Sequence, residues 1–259
     1  MRLTLLGTGT SFGVPQIGCD CAVCRSTDSR DTRRRTAAVL QAPTGSILID
    51  TPPELRVGLL AAGIGQIDAV VFTHEHADHV AGIDDLRIFS LRLRAPLPAF
   101  ANQSTAGFLR ASYRYIFDDT VVPIRGTSKP RLDLRPVAGG SPFRAGGVEV
   151  LPIALGHGEV EVLGFRFGRI AYLTDVKAVP DAAVAALAGV EVLVLNALWW
   201  RSHPTHLSIP EAIEAARRIG ARRTVLTHLT HETGHAELAA ALPDGIEPGY
   251  DGLTLEVDP

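Results

Sequence analysis

Lysine is almost missing from this 259-residue chain, occurring only at Lys129 and Lys177. With a net charge of −3 and a pI near 6.3, the chain carries no overall basic footprint of the kind nucleic-acid binders use. It also has no long insertion rich in glycine and lysine, so a nucleic-acid partner is not expected. A long apolar run is absent too. The most apolar window, 182–200, is broken by Gly189 and Glu191 and reads as a helix followed by a strand, not a membrane span. The opening Leu3-Thr4-Leu5-Leu6 is too short for the core of a secretory signal, so a cytoplasmic address is expected. Cysteine is scarce, and all three lie between positions 19 and 24. An odd number packed so tightly argues against a disulfide framework and, in a reducing compartment, towards metal.

What is present is concentrated in His74-Glu75-His76-Ala77-Asp78-His79, which holds four potential metal ligands and directly follows the apolar run Ala69-Val70-Val71-Phe72. Residues two apart on an extended backbone point the same way, so His74 and His76 can reach one ion. Asp78 and His79 stand where a helix would begin, aimed at a neighbouring position. Two adjacent metals explain the cluster better than one, and such a pair polarises a phosphoryl oxygen and holds hydroxide near neutral pH.

Along the chain, the loop containing Cys19, Cys21 and Cys24 can close on one tetrahedral zinc if a fourth ligand comes from elsewhere. The alternative is three free thiols or a redox pair. Arg33-Arg34-Arg35 is most simply a solvated approach to the next strand, or else a phosphate contact. Strands are expected at 37–40, 46–49, 67–72, 132–137, 148–151, 162–167, 170–175, 190–196, 223–226 and 253–257. Helices are expected at 54–62, 181–188 and 209–219, the last opened by the capping pattern Ser208-Ile209-Pro210-Glu211. Asp50, at a strand end, is either the carboxylate that orients a metal-bound histidine through its second nitrogen or a turn carboxylate bonding local amides. His157 is read in a glycine-flanked loop and Asp175 as a bridging ligand. The arginine- and aromatic-rich segment 80–125 is either a lid or a dimer surface.

Each half sends out a strand ending in aspartate (Asp50, Asp175) and later a strand ending in Thr-His (Thr73-His74, Thr227-His228). Two such halves predict an α/β fold in which two β-sheets pack face to face, with helices outside and the site on a shared rim. No linker divides residues 1–259, so one domain is expected, with the zinc loop at about 13–35.

The hexapeptide resembles that of the metallo-β-lactamase superfamily, whose αββα sandwich is therefore expected. The resemblance implies one metal on His74, His76 and His157, a second on Asp78, His79 and His228, and Asp175 between them. A finer likeness is to the phosphoribosyl 1,2-cyclic phosphate phosphodiesterases of phosphonate breakdown. It rests on Thr8-Gly9-Thr10, Gly13-Val14-Pro15, Gly18-Cys19-Asp20-Cys21-Ala22-Val23-Cys24, Thr227-His228-Leu229-Thr230-His231 and Tyr250-Asp251-Gly252. It implies that His231 completes a structural zinc site, with His235 as the replacement. It also places His206 near the reacting phosphate, with His203 as competitor, and implies a homodimer. The expected activity is hydrolysis of a small anionic cyclic diester such as 5-phosphoribosyl 1,2-cyclic phosphate by a metal-bridging hydroxide, with Asp78 and His206 catalytic. The metals are manganese, zinc or iron. Asp50-Thr51-Pro52-Pro53-Glu54-Leu55-Arg56 departs from that pattern. It resembles the accessory protein of pyrroloquinoline quinone biosynthesis, a carrier alternative. A tRNA 3′-end-processing endonuclease is the other alternative.

Overall fold

The computed structural model describes residues 1–258. Fourteen strands are found among them: β1 (Arg2–Gly7), β2 (Ala37–Ala42), β3 (Gly45–Ile49), β4 (Ala69–Val71), β5 (Leu97–Ala101), β6 (Leu132–Pro136), β7 (Phe143–Ala145), β8 (Val148–His157), β9 (Val160–Phe167), β10 (Ile170–Leu173), β11 (Val192–Asn196), β12 (Arg223–Thr227), β13 (Ile246–Pro248) and β14 (Thr254–Glu256). They form two seven-stranded sheets, ordered β14-β1-β2-β3-β4-β5-β6 and β13-β12-β11-β10-β9-β8-β7. In each, an antiparallel trio (β1-β2-β3, β8-β9-β10) runs into a parallel set (β3 to β6, β10 to β13).

The alternation of side chains decides the layers. In β3, Ile47 and Ile49 face the core between the sheets while Leu48 faces outward helices. In β10, Ile170 and Tyr172 face the same central core, and Ala171 and Leu173 the opposite outer layer. Both faces of these strands are buried, which is why they read as unbroken apolar runs. The helices Leu55–Ala61, Arg87–Leu93 and Gln103–Ser112 cover the first sheet, and Asp181–Ala186, Ile209–Ile219 and His235–Ala241 the second. This is the αββα sandwich. The helix Ile209–Ile219 shows the forecast reciprocal capping between Ser208 and Glu211, and it ends on left-handed Gly220.

Two readings change, and a third segment gains detail. His157 is the last residue of ten-residue β8, not part of a glycine loop, because β8 and β9 pair without interruption from Leu151–Arg166 to His157–Val160. The arginine run is not solvated: Arg33 is fully buried, Arg34 is held by Asp251, and Arg35 by Glu54 and the Ser11 carbonyl. The segment 80–125 is tied to the first sheet by one strand and by helices packed on it. It contributes β5, between β4 and β6, and a helix that buries Ala106 and Leu109. Its exposed remainder includes Val121, Val122 and Ile124.

Candidate metal centre

The two sheets bring the carboxyl ends of β3, β4, β10 and β12 to one rim, the usual place for a site on parallel strands. At three of these ends the chain turns sharply. Asp50, Asp175 and His228 have φ of 62°, 58° and 59°, a left-handed conformation that L-residues seldom adopt and that clusters at functional sites. The turn lifts each side chain out of the strand alternation and aims it at the rim. The two aspartates occupy equivalent places, since β3 and β10 each join an antiparallel trio to a parallel set. The two Thr-His pairs do not: β4 adjoins β3, whereas β11 separates β12 from β10.

The structure groups the ligand atoms of His74, His76 and His157 within 4.8 Å of one another, and does the same for Asp78, His79 and His228. Asp175 lies between the sets: its Oδ1 is 3.1 Å from His228 Nε2 and its Oδ2 3.3 Å from His79 Nε2, and its carboxylate also falls within 4.8 Å of ligand atoms of His74 and of His157. His79 also has Asp78 Oδ2 at 3.4 Å from Nε2. His79 Nε2 and both ring nitrogens of His228 are buried and make no aligned hydrogen bond, although Asp175 oxygens lie 3.3 and 3.1 Å from the two Nε2 atoms. Buried imidazole nitrogens left without an aligned partner beside two carboxylates fit divalent cations, which would supply one. Burial works against a charge on His79, but Asp175 and Asp50 outweigh it and push its pKa well above the ordinary value. The site therefore favours positive charge at this position.

The supporting contacts are specific. Asp50 Oδ2 lies 2.7 Å from His79 Nδ1, while the Asp50 carboxylate accepts from Thr73 N at 2.8 Å and Thr73 Oγ1 at 2.7 Å. Thr51 N donates to the His79 carbonyl at 2.7 Å, and Gly82 N to the Thr51 carbonyl at 2.8 Å. A Cβ at Gly82 would overlap the Pro52 carbonyl, so only glycine lets the short helix Ala77–Val80 lie this close. Glu75 turns away from the ligands and accepts from Thr105 Oγ1 at 2.6 Å. Thr73 and Glu75 were not singled out in the sequence, although the Thr-His repeat pointed near Thr73.

His206 reaches the site: its Nε2 is 3.1 Å from Asp175 Oδ1, and Nδ1 faces Thr205 Oγ1 at 2.9 Å. Burial pushes its pKa down, against the hydrogen bond to Asp175. His203 instead lies behind it, Nδ1 to Nδ1 at 3.2 Å. The same Thr205 lends its carbonyl to His157 Nδ1 at 2.9 Å.

A second cluster lies apart from the rim. His231 Nδ1 is 3.3 to 3.4 Å from each of the sulfurs of Cys19, Cys21 and Cys24. His235 is elsewhere, packed on Tyr250 with its amide on Asp31. Donation from the Cys24 amide pulls the Cys21 thiol down to about 6, while burial pushes Cys24 up to about 11. Three thiols around one imidazole nitrogen are a tetrahedral zinc donor set.

Residues 46–229 match the family model of the β-lactamase superfamily domain. A crystal structure of a diphosphatase from the PhnP family is 40% identical, with a TM-score of 0.90, covering 99% of this chain and 98% of that one. Zn²⁺-bound PqqB from Methylobacterium extorquens shares the fold at 20% identity, TM-score 0.78, covering 99% of this chain and 100% of that one. A Porphyromonas gingivalis protein named octanoyltransferase is 40% identical over 261 residues, all of this chain but 52% of its own length. The chain spans about half the length of the curated relatives it matches first.

Proposed function

Because the chain belongs to the metallo-β-lactamase superfamily and, within it, to the PhnP family, we propose that it is a metal-dependent hydrolase of phosphoric esters. Its proposed substrate is a small anionic cyclic phosphodiester such as 5-phosphoribosyl 1,2-cyclic phosphate. The observation that carries the reading is the convergence of six ligands in two sets around a seventh, Asp175, with buried nitrogens on His79 and His228 that make no aligned hydrogen bond. His74, His76 and His157 would hold one divalent cation and Asp78, His79 and His228 the other, with Asp175 shared. Bound there, manganese, zinc or iron supplies Lewis acidity and lowers the pKa of water towards neutral.

The chain's own residues do the rest. Asp175, in reach of both sets, fixes their separation. Asp50, held by Thr73, keeps the His79 ring turned so that Nε2 faces the rim. Thr205 does the same for His157 through its carbonyl. His206, on the same loop, gives a proton to the departing ribose oxygen. The donor set Cys19, Cys21, Cys24 and His231 would hold a structural zinc, since four protein ligands leave no place for substrate. A homodimer is part of the proposal.

A second reading takes a diphosphate as substrate, and it is favoured by the diphosphatase at 40% identity. Cleavage of a P–O–P link needs the same ligands but a different leaving oxygen. The test is an assay of protein reconstituted with manganese or with zinc. The cyclic ribose ester, a simple aryl diester and a small diphosphate are compared. Preferential opening of the cyclic ester supports the first reading, and preferential diphosphate cleavage the second. Turnover of none of them, with two metals bound, would sink both and favour a carrier role like that inferred from the Asp50 to Arg56 string.

A further inference from the structure

We propose that metal binding at the cysteine cluster sets the position of the loop that carries His206, through contacts of Trp200 and Arg201 with residues 232–233. This rests on the reading of the cysteines as a metal site. The route is short. His231, the imidazole at the centre of the thiols, lies three residues after His228 in the segment that follows β12. That segment is clamped on its inner side: Leu229 N donates to the Thr8 carbonyl at 2.8 Å, and buried Arg33 donates to the carbonyls of Thr230 and Thr233.

On its outer side the segment grips the neighbouring loop. Glu232 takes both Nη1 and Nη2 of Arg201 at 2.7 Å each, a paired geometry that fixes orientation as well as distance. The Arg201 guanidinium lies 3.8 Å from the centroid of Trp199, and Trp200 Nε1 donates to Thr233 Oγ1 at 3.2 Å. The loop is closed at its base, where Ile209 N donates to the Trp199 carbonyl at 2.7 Å. Beyond that base, the grip on 232–233 and the contacts of Thr205 and His206 with the rim place it. Without a metal, three thiols and an imidazole are held together only by weak sulfur hydrogen bonds, and His231 and Glu232 are placed only through the Arg33 contacts on either side of them. With one, His231 becomes fixed, and the fixed point is passed to Arg201 and Trp200. These two are positioning residues; neither needs to touch substrate.

The composition supplies two independent reporters. All three cysteines of the chain are in the cluster, and both tryptophans are in the loop. Protection of thiols from a thiol reagent therefore reads occupancy of the cluster alone, and tryptophan emission reads the loop, which the rim reaches through His206 and His203. The experiment titrates metal-free protein with zinc and follows both signals, in wild type, in the double variant Glu232→Gln/Thr233→Val, and in Cys24→Ser to subtract emission changes that arise at the rim. The expected result is an emission shift that saturates together with thiol protection and is lost in the double variant while its thiols are still protected. Thiol protection without an emission shift would overturn the proposal, as would a full-sized shift in the double variant. If Cys24→Ser does not fold, the wild type and the double variant still decide the matter. A separate kinetic arm expects the double variant to lose about fivefold in kcat at unchanged KM. That arm depends on the role of His206 and the emission arm does not, so the two can fail independently.

Discussion

The rim cluster and the cysteine cluster are both candidate metal sites, but they are built in opposite ways. At the rim, ligands come from the ends of four strands and from a short helix. Most are buried, and carboxylates sit among imidazoles. At the cysteines, three ligands come from six consecutive residues and one from the far end of the chain, half-buried, with no carboxylate. Seven ligands shared by two cations would leave coordination positions open, whereas four around one cation would leave none. Openness thus follows from how many elements contribute: a site assembled from two sheets can be incomplete and stay in place because the sheets hold it. The cysteine loop is tied to the fold mainly where Val14 pairs with Arg33, so a bound cation is expected to add to its order.

The largest expected effects break the rim without touching the fold. Asp78→Ala should abolish turnover in protein whose circular dichroism and thermal unfolding match the wild type; full activity would end the two-metal assignment. His206→Ala should lower kcat by about 10²–10⁴ with both rim metals still bound. Metal analysis beside the kinetics checks this, and lost metal would mean that His206 is a ligand. Asp50→Asn is a milder cut. It leaves every proposed ligand in place but weakens the hold on His79, so metal affinity or rate should fall about 10- to 100-fold. Competition with a chelator measures the affinity.

The cysteine cluster should respond in the other currency. Cys24→Ser should lower Tm by at least about 5 °C, equivalent to roughly 2 kcal/mol in a chain of this size, while rim metal content stays the same. Unchanged Tm with three-ligand occupancy would show that the loop stands without its metal.

How much of this was legible depended on whether the signal was local. The hexapeptide could be read because its ligands lie on one short stretch after a buried strand, and the Ser208–Glu211 cap because a capping box spans four residues. Asp50 and Asp175 were visible as carboxylates closing apolar runs, though their left-handed backbone was not. His157 was misplaced because glycines on both sides suggested a loop, while its pairing with Val160 depends on a turn at 158–159 that composition alone does not distinguish from a longer loop. Strand β5 went unseen inside an arginine-rich segment, because a five-residue strand buried by its neighbours carries no periodicity of its own. Burial of Arg33 was illegible for the same reason: its partners, the carbonyls of Thr230 and Thr233, lie some two hundred residues away.

A pH-dependent effect lies at the seam between the clusters. Asp251 accepts from Thr8 Oγ1 at 2.9 Å and from Arg34 N at 2.8 Å. Thr8 in turn holds Leu229 next to the rim ligand His228, and Arg34 adjoins the Arg33 brace behind the cysteines. Burial pushes the Asp251 carboxyl up to about 6, only partly offset by these donors. A raised carboxyl pKa means that the folded chain binds the proton more tightly than the unfolded one. Its contribution to stability is therefore greatest below the ordinary carboxylate range, falls as pH rises towards about 6, and is fully lost above it. The shift corresponds to a change on the order of 2–3 kcal/mol across that window. Acid also strips metal from both clusters, so the measurement is a difference: denaturant unfolding of wild type and Asp251→Asn from pH 4 to 7 at fixed metal. The stability advantage of wild type over the variant should shrink as pH rises. A constant difference would mean that Asp251 titrates like an ordinary carboxylate, and that the seam contributes no acid-linked stability of its own.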